Sequence, residues 1–549
     1  MIININERDG EESIDIVLDT IQHKKQCLVF LNTKKSAEKL AEDIADNIKD
    51  ISKKDIAEKA LNALQSPTKQ CNRLHKCMLK GVAFHHSGLV EEQRKLIEEN
   101  FRSGEISVIC STPTLSYGMD LPAFRVIIRD LKRYGKRGMD YIPVLEYMQM
   151  AGRAGRPGKE TKGEAICIAK TEAEKDKIID KFILGKPEEI YSKLAVEPVL
   201  RMYVLSLISG DIARTREDLL VFFGKTFWGH QFGDIDSLSR IIDKMLNLLE
   251  EYKFVASNKS NVSDCTDCSK ISCENSDDLF TSADVLKTDT LKNGNLKNTE
   301  DKKIKQIKYT ATLIGRRVSQ LYLDPLTANK LLEGIAKSDS NTPVFSHLQM
   351  FSSTLEMRPL LRMRKSDEEF IQGLLIKYED ALLEDPPKVY DYEYDEYLDS
   401  CKTAFFFHTW INETKEDKML DEYGIEPGLI RVKLEIIDWL LYSLIDLCNI
   451  SQIKDKVNIL NKLRLRLKYG VKEELLPLLK LKSIGRIRAR KLFDNGIKDL
   501  GDVKMADLSN LSTLLGHSIA ADIKKQVDQE IKEIPKGTRK GQLSIEKFS

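Results

Sequence analysis

Residues 149–158 read Gln149-Met150-Ala151-Gly152-Arg153-Ala154-Gly155-Arg156-Pro157-Gly158, with two arginines three positions apart among small residues and a leading glutamine. Two guanidinium groups one helical turn apart can converge on one anion. The glycines and alanines leave the backbone bare enough for a partner surface to come close. We interpret the stretch as a phosphate sensor and not as a simple basic loop, because ordered motifs precede it in the chain.

Around this stretch, short apolar runs alternate with helical patterns, which predicts an α/β lobe with a parallel sheet over residues 1–190. A helix is expected at 37–48, after the first strand. Ligands bind at the carboxyl ends of the strands in such sheets, where several of these strands deliver polar residues. The predicted strands are 26–31, 82–86, 106–110, 125–129 and 163–168.

Composition limits the classes of protein that need consideration. The 549 residues suffice for three or four domains, since a domain usually takes about 100 to 200 residues. The 86 basic and 85 acidic residues nearly cancel, so a nucleic-acid-binding surface must be local. No apolar run approaches the roughly 18 residues of a membrane span, and the N-terminus does not have the pattern of a signal peptide. We expect a soluble cytoplasmic protein with no membrane partner.

Ten cysteines are scattered along the chain, and Cys27, Cys110 and Cys167 lie inside apolar runs. Such positions are typical of reduced, buried thiols and do not indicate a disulfide framework.

Four motifs occur in a fixed order: CLVFLNTKKSAEKLA at 27–41, VAFHHSGL at 82–89, STPTLSYGMDLPAFRVIIRD at 111–130 and QMAGRAGRPG at 149–158. Together they resemble the second motor lobe of superfamily-two helicases, in particular the archaeal HelQ-like DNA helicases of the Ski-two-like branch. The resemblance implies that ATP lies between two RecA-like lobes. Arg153 and Arg156 would reach its phosphates and Gln149 would help to couple the lobes. An arginine so placed stabilises charge on the transferred phosphoryl group.

The same resemblance assigns further residues of this lobe. Gly118 and Asp120 are expected at the lobe interface near the nucleotide. Hydroxyl and amide groups at strand ends can hold the DNA backbone without reading sequence. Those implied for this role are Asn32, Thr33, Thr112 and Thr114.

The sequence contains no G-x-x-x-x-G-K-[ST] loop, and no Asp-Glu pair follows a strand as a magnesium-binding motif would. We therefore expect the chain to be the C-terminal portion of a helicase. ATP and Mg2+ would be bound mostly by a first RecA-like lobe, supplied in cis or in trans. Alone, the chain is expected not to hydrolyse ATP, because the phosphate cradle and the magnesium site are missing.

Residues 130–143 are basic at their centre and contain aromatic side chains and two glycines, a composition typical of a turn between two extended arms. In the resembled helicases a β-hairpin here parts the strands at the duplex junction. The alternative is a surface loop with incidental aromatics. The candidates for stacking or wedging are Tyr134, Met139, Tyr141 and Ile142.

Residues 191–323 change to short amphipathic helices with two short strands, expected at 252–255 and 308–312. This region resembles the winged-helix domain of the family, a fold that serves in some proteins for packing and in others for reading DNA. The helices are expected at 199–208, 216–223 and 238–251.

Residues 257–303 lie between the two expected strands and are rich in Asn, Ser, Lys and Asp, which predicts a disordered insertion. Cys265, Cys268 and Cys273 begin like a zinc site. No metal is predicted, because three cysteines without a fourth ligand nearby do not complete the usual tetrahedral site.

Residues 324–465 carry long helical stripes at 369–383, 397–411 and 429–448, which predict an all-α bundle. In the resembled helicases one long ratchet helix of such a bundle touches the bases of the translocating strand. The alignment of that helix with YLDSCKTAFFFHTWINE makes Trp410 the base-stacking residue and Lys402 a phosphate partner. The alternative is that Trp410 fills the core of the bundle.

Residues 466–535 contain LKLKSIGRIRARKLFDNGIKDLGDV, which resembles a helix-hairpin-helix, a motif whose glycine turn exposes backbone N–H groups to a phosphate. Binding at the basic patch would be salt-sensitive and independent of sequence. Packing against the motor is the alternative, because Ser483 stands where many such hairpins have glycine or proline. The candidates are Gly485, Arg486, Arg488 and Arg490.

The polar tail, residues 536–549, contains Gln542, Ile545 and Phe548 at a spacing that resembles a peptide binding the sliding clamp PCNA. One helical turn would bring Ile545 and Phe548 onto one face. An ordinary disordered terminus is the alternative, since Ser549 replaces the usual second aromatic residue.

The resemblance implies the C-terminal portion of an ATP-dependent 3′–5′ DNA helicase. It would act on single-stranded or forked DNA in the repair of stalled forks, within the cytoplasm and nucleoid of an archaeal cell. Two alternatives remain: a catalytically silent module that binds nucleic acid or the clamp, and an RNA helicase of the same branch.

Overall fold

The computed structural model describes residues 11–49, 52–64, 67–117, 121–135, 138–155, 162–194, 196–232, 235–258 and 307–533. They belong to two compact units. One comprises Met1–Ile190, Gly334–Ile445 and Lys454–Ser549, and the other comprises Tyr191–Glu333 and Asp446–Ile453.

A five-stranded parallel sheet forms the centre of the first unit, in the order β2-β3-β1-β4-β7. Every residue of β1 to β4 is buried, as expected of parallel strands covered by helices on both faces. The predicted parallel sheet is therefore confirmed, with strand ends shifted by one or two residues. The strands of this unit are β1 (Cys27–Phe30), β2 (Val82–His85), β3 (Val108–Ser111), β4 (Arg125–Ile128), β5 (Lys132–Gly135), β6 (Gly138–Tyr141) and β7 (Glu164–Cys167).

In the described part of the chain, seven α-helices accompany this sheet. The helix expected at 37–48 begins earlier, because the Thr33 hydroxyl caps it by accepting a hydrogen bond from the Ser36 backbone N–H at 3.1 Å. The helices are α1 (Glu12–Gln22), α2 (Lys34–Asn47), α3 (Lys54–Leu61), α4 (Lys69–Met78), α5 (Glu91–Ser103), α6 (Val144–Ala151) and α7 (Glu172–Ile178).

The cysteines described in the sheet are free thiols, as predicted. Cys27 and Cys110 are fully buried, whereas Cys167 is only partly buried. Burial raises the pKa of Cys27 to about 12, so this thiol stays protonated and unreactive at neutral pH.

The second unit contains helices and one two-stranded antiparallel sheet of β8 and β9. A buried ion pair fastens the start of α13 to α8, with two N–O distances of 2.7 Å between Arg201 and Asp324. Its elements are α8 (Glu197–Ser209), α9 (Arg216–Gly224), α10 (Phe227–Phe232), α11 (Ile235–Glu251), β8 (Val255–Ser257), β9 (Tyr309–Ala311), α12 (Leu313–Gln320) and the first part of α13 (Pro325–Lys337).

The first strand of this pair begins at Val255 and not at residue 252, because residues 252–254 end the preceding helix with hydrogen bonds back to it. Ser257, which was predicted to start the insertion, is the last residue of β8 and pairs with Tyr309 of β9. The rest of the predicted insertion from residue 259 lies outside the described residues, including Cys265, Cys268 and Cys273. Among the residues that are described, no group of His, Cys, Asp and Glu could hold a metal ion.

The remaining helices belong to the first unit, apart from the end of α18. They include a core of large aromatic side chains, among them Phe345, Phe351 and Phe406. Helices α20 to α23 share a separate small core that contains Leu492, Leu511 and Ile523. The helices are α14 (Val344–Ser352), α15 (Glu368–Tyr378), α16 (Tyr394–Ile411), α17 (Glu416–Tyr423), α18 (Pro427–Ile450), α19 (Val457–Tyr469), α20 (Arg486–Asp494), α21 (Leu500–Met505), α22 (Leu508–Leu515) and α23 (His517–Glu533).

None of the helices in the described part of the chain is both long enough and apolar enough to cross a membrane.

Candidate functional site

The carboxyl ends of β1 and β3 are neighbours, because the two strands pair in parallel with Phe30 opposite Ser111. The residues that follow them are therefore brought to one edge of the sheet. Thr33 is exposed there, and the hydroxyls of Thr112 and Thr114 lie 2.9 Å apart. This edge gathers the hydroxyl groups that the sequence assigned to the DNA backbone.

Asn32 is at the same edge, but its polar groups are engaged by the protein. Its side-chain amide donates to the carbonyl of Lys132, and its backbone N–H donates to an oxygen of Asp130 at 3.1 Å. Asn32 therefore links the loop after β1 to the base of the hairpin. Contact between Asn32 and DNA stays a prediction.

Arg153 lies just beyond the end of α6, where the backbone is held against the strand leading into β4. Ala123 donates to the Arg153 carbonyl at 2.9 Å and accepts from the N–H of Gly155 at 2.7 Å. Gly155 has a φ of +93°, a region that glycine adopts readily. These bonds fix the path of the chain immediately before Arg156.

The side chains of Arg153 and Gln149 keep unpaired polar atoms. One terminal nitrogen of Arg153 donates to the carbonyl of Ser116 at 2.5 Å. The Arg153 Nε and the Gln149 Oε1 are buried without a hydrogen-bond partner among the described residues. Because a buried polar atom without a partner is costly, these two atoms are candidates for contact with a ligand or a further protein surface. The other predicted nucleotide residues, Gly118, Asp120 and Arg156, lie outside the described residues.

The predicted hairpin is present, with β5 and β6 paired antiparallel and Tyr134 opposite Met139. Tyr134 is 81% exposed and Met139 is 57% exposed. Ile142 is fully buried, and the partly buried Tyr141 packs against Phe182 with ring centroids 5.8 Å apart. The four predicted residues thus divide into two at the surface and two at the root, and strand separation by the first two stays a prediction.

Trp410 is buried near the end of α16. Its indole N–H donates to the carbonyl of Leu467 at 2.7 Å, and the Arg486 guanidinium lies 4.6 Å from its ring centre. Gly470 packs so closely that a Cβ added there would lie 2.8 Å from the ring. These contacts support the packing alternative for Trp410, and base stacking remains an untested prediction that requires the indole to be uncovered.

Lys402, the predicted phosphate partner on α16, is also buried. Its ammonium group donates to the carbonyl of Arg362 at 3.0 Å and pairs with Asp367. In this arrangement its charge is directed at the protein, so contact with DNA stays a prediction.

The predicted basic patch lies at the start of α20, and Gly485 is the residue preceding the helix. Arg490 forms two bonds of 2.6 and 2.7 Å with the Glu413 carboxylate, which raises the pKa of Arg490 further. Arg486 donates to the carbonyl of Thr414 at 3.3 Å. Arg488 donates to the carbonyl of the nearby Ser483 at 2.7 Å. Two of the three arginines therefore hold the loop after α16.

Ser483 has a φ of +69°, within the left-handed region that favours glycine. This backbone angle explains why glycine is common at that position in related turns. It also shows that the turn before α20 forms in this chain despite the serine.

The sequence did not predict a contact between the bundle and the sheet. The backbone N–H of Gly428, in the first turn of α18, donates to the carbonyl of Gly88 in the loop after β2 at 2.9 Å. A Cβ at Gly428 would lie 2.3 Å from the carbonyl oxygen of Leu89, so only glycine fits. Lys34 and Glu426 form an ion pair of 3.1 Å beside it.

The predicted clamp-binding residues Gln542, Ile545 and Phe548 lie outside the described residues.

Comparison with known proteins agrees with this arrangement. Residues 11–158 match the helicase conserved C-terminal domain, and residues 345–470 match domain 4 of archaeal helicases. A protein of Methanococcus vannielii named ATP-dependent DNA helicase Hel308 is 37% identical over 89% of this chain and 64% of its own length. Proteins of the same name from Methanocella arvoryzae and Pyrococcus abyssi are each 34% identical, over 97% and 96% of this chain and 67% of their own length.

The chain thus spans about two thirds of the length of the curated relatives that it matches. Identity of this extent, together with the two matched domains, confirms the expected relationship to archaeal DNA helicases. The chain belongs to the Hel308 family of archaeal helicases.

Proposed function

We propose that this chain forms the second motor lobe and the accessory helical domains of an ATP-dependent DNA helicase. It would move 3′ to 5′ on single-stranded or forked DNA and serve the repair of stalled forks in an archaeal cell. The observation that carries the proposal is the pair of buried atoms Arg153 Nε and Gln149 Oε1, which have no hydrogen-bond partner among the described residues.

In this proposal the nucleotide would occupy the surface in front of Arg153. An N–H group that lacks an acceptor suits a phosphate oxygen, and the arginine would orient the phosphates and balance the charge that develops on them. ATP supplies the phosphoryl group for hydrolysis, while Mg2+ and most of the nucleotide would be held by the first RecA-like lobe. This chain would complete the ATP site by supplying residues from the second RecA-like lobe.

DNA would meet the edge of the sheet at Thr33, Thr112 and Thr114, whose hydroxyls suit phosphate oxygens. We further propose that β8, β9 and the helices around them form a winged-helix domain, and that α20 belongs to a helix-hairpin-helix. Tyr134 and Met139 would part the duplex. The tail at 536–549 would bind a PCNA clamp, which a fluorescent peptide of that segment tests directly.

The proposal is tested by adding the first lobe back. The purified chain would be mixed with a separately expressed first RecA-like lobe from a Hel308 relative, and ATP hydrolysis would be measured with and without single-stranded DNA. We expect hydrolysis only from the pair, stimulated by DNA. The variant Arg153→Ala should remove it, whereas Lys95→Gln, which alters an exposed ion pair on α5, should not.

Hydrolysis by the chain alone would contradict the proposed division of the site. A stable complex of the two lobes that does not hydrolyse ATP would contradict the proposed motor.

A further inference from the structure

Helix α6 leads into Arg153 and begins almost directly where the hairpin ends. Only residues 142 and 143 separate β6 from α6. Pro143 has a φ of −58°, which its ring restricts. The N–H of the buried Ile142 donates to the carbonyl of Leu131 at 2.9 Å. The connection between hairpin and helix is therefore short. Pro143 restricts its backbone, and the hydrogen bond of Ile142 fastens it to Leu131.

The other strand of the hairpin, β5, is fastened to α6 by an ion pair. The Arg133 Nη1 lies 3.0 and 2.9 Å from the two carboxylate oxygens of Glu146. The Glu146 side chain is only 6% exposed, whereas the Arg133 side chain is about half exposed, at 49%. Because a buried carboxylate without a cation is strongly unfavourable, Glu146 holds Arg133 in place. Arg133 directly precedes the exposed Tyr134.

Aromatic rings fasten the strand β6 to the same helix. The ring of Phe182 lies 5.1 Å from Tyr147 of α6 and 5.8 Å from Tyr141 of β6, measured between centroids. Phe182 belongs to a π-helical turn, Ile179–Ile183, a local widening that often occurs at functional sites. Helix α6 thus contacts β5 directly through Glu146 and is linked to β6 through the ring of Phe182.

The loop after β3 approaches the same ion pair. Ser116 accepts the hydrogen bond from Arg153, and Tyr117 follows it. Partial burial raises the pKa of Tyr117, and the negative charge of Glu146 adds to the effect while Arg133 opposes it, as expected if Tyr117 borders the pair. The nucleotide motif, the loop after β3 and the hairpin therefore converge on α6.

We propose that α6 and the hairpin form one rigid lever in which the Arg133–Glu146 ion pair transmits movement from Arg153 at one end to Tyr134 at the other. The inference rests on the proposed function and adds two positioning residues to it. Arg133 and Glu146 are positioning residues in this proposal, because they act through Arg153 and Tyr134.

The lever is tested first on the chain alone, by hydrogen exchange of the hairpin amides measured by mass spectrometry. The variant Arg133→Gln should exchange about three- to tenfold faster over residues 132–142, because local opening becomes easier. Arg133→Lys, which keeps the charge, should change less. Lys175→Gln removes a cation from an exposed ion pair on α7 and should change nothing. Unchanged exchange in Arg133→Gln would overturn the lever.

The second measurement uses the chain together with the first lobe and compares base pairs unwound with ATP hydrolysed. Arg133→Gln should keep DNA-stimulated hydrolysis within about twofold and lower the base pairs unwound per ATP by about three- to tenfold. A merely structural role would lower both activities together, and that result would overturn the proposal.

The two measurements separate the lever from the proposed function. If the wild-type assembly neither hydrolyses ATP nor unwinds DNA, the proposed function fails. The hydrogen-exchange result on the chain alone then decides whether hairpin and helix form one body.

Discussion

The two basic motifs of this chain differ in how the side chains of their arginines are bonded in the folded protein. Arg153, after α6, keeps a buried Nε without a partner among the described residues. Arg486 and Arg490, at the start of α20, are occupied by Trp410 and by the carboxylate of Glu413. Buried polar atoms that serve a ligand lack a partner when the ligand is absent, and this lowers stability. Polar atoms that join two parts of the protein form their hydrogen bonds within the protein. The difference separates a candidate ligand site from a structural contact.

The largest effect is expected at Arg153. In the assembly with the first lobe, Arg153→Ala should lower ATP hydrolysis about a hundred- to thousandfold, because charge on the transferred phosphoryl group loses its stabilisation. Steady-state hydrolysis with saturating DNA measures the effect. If hydrolysis persists near the wild-type rate, the unpaired Nε does not mark the nucleotide site. The contrast between Arg153 as a ligand residue and Arg490 as a structural residue would then be wrong.

The next effect concerns Trp410. As a buried residue that donates to Leu467, it should contribute strongly to stability, and Trp410→Ala should lower the free energy of unfolding by about 3 to 5 kcal/mol. Urea-induced unfolding measures this change. Tyr392→Ala is the control, because Tyr392 is fully exposed. Unchanged stability with weakened binding of single-stranded DNA would instead support base stacking.

A smaller loss of stability is expected when the Arg490–Glu413 contact is broken. Arg490→Gln should lower the free energy of unfolding by about 1.5 to 3 kcal/mol, because the two charge-assisted hydrogen bonds to Glu413 are lost together with those to Glu474 and Asp494. Arg488→Gln should change it by less than about 0.5 kcal/mol, since the hydrogen bond of Arg488 in the described part of the chain is to the nearby carbonyl of Ser483. Equal losses in the two variants, measured by thermal unfolding, would show that the contact has no special role.

The smallest expected effect is on the salt dependence of DNA affinity, which distinguishes Arg488 from Arg490. Among the described residues, Arg488 has the fewest hydrogen bonds to other parts of the protein of the three arginines. It is therefore the arginine expected to meet a phosphate that binds at α20. Arg488→Gln should then reduce the slope of log affinity for single-stranded DNA against log salt by about 0.7, and Arg490→Gln should leave it unchanged. A reduced slope only in Arg490→Gln would show that its contact with Glu413 opens when DNA binds.

Much of the fold could be predicted, because local pattern reflects burial directly. The run at 26–31 is apolar since β1 lies at the centre of a parallel sheet, and the observed strand differs by only one residue at each end. A turn between two extended arms was predicted at 130–143 from its residues, and the structure has the paired strands Lys132–Gly135 and Gly138–Tyr141 there. The approach of Gly428 to Gly88 was not predicted, because a glycine pair more than 300 positions apart carries no signal of its partner.

The candidate site was predicted unevenly for the same reason. Arg486, Arg488 and Arg490 lie at every second position of one short basic stretch, and the sequence does not show which of them will pair with a distant carboxylate. Glu413, which engages one of them, lies 77 residues away in the chain. Likewise the amide of Asn32 suits a phosphate in the sequence, yet it donates to Lys132, which lies 100 residues further along the chain.

The sequence by itself determined the parallel sheet, through its apolar periodicity, and the order of the four motifs, whose resemblance to known helicases indicated the family. Only the tertiary structure decided which charged and polar groups remain available. A hydrogen bond or ion pair is set by atoms within a few ångströms, and residues such as Trp410, Leu467 and Arg486 come within that distance only after the helices have packed. For this reason Arg153 and Arg490 look alike in the sequence but not in the folded chain.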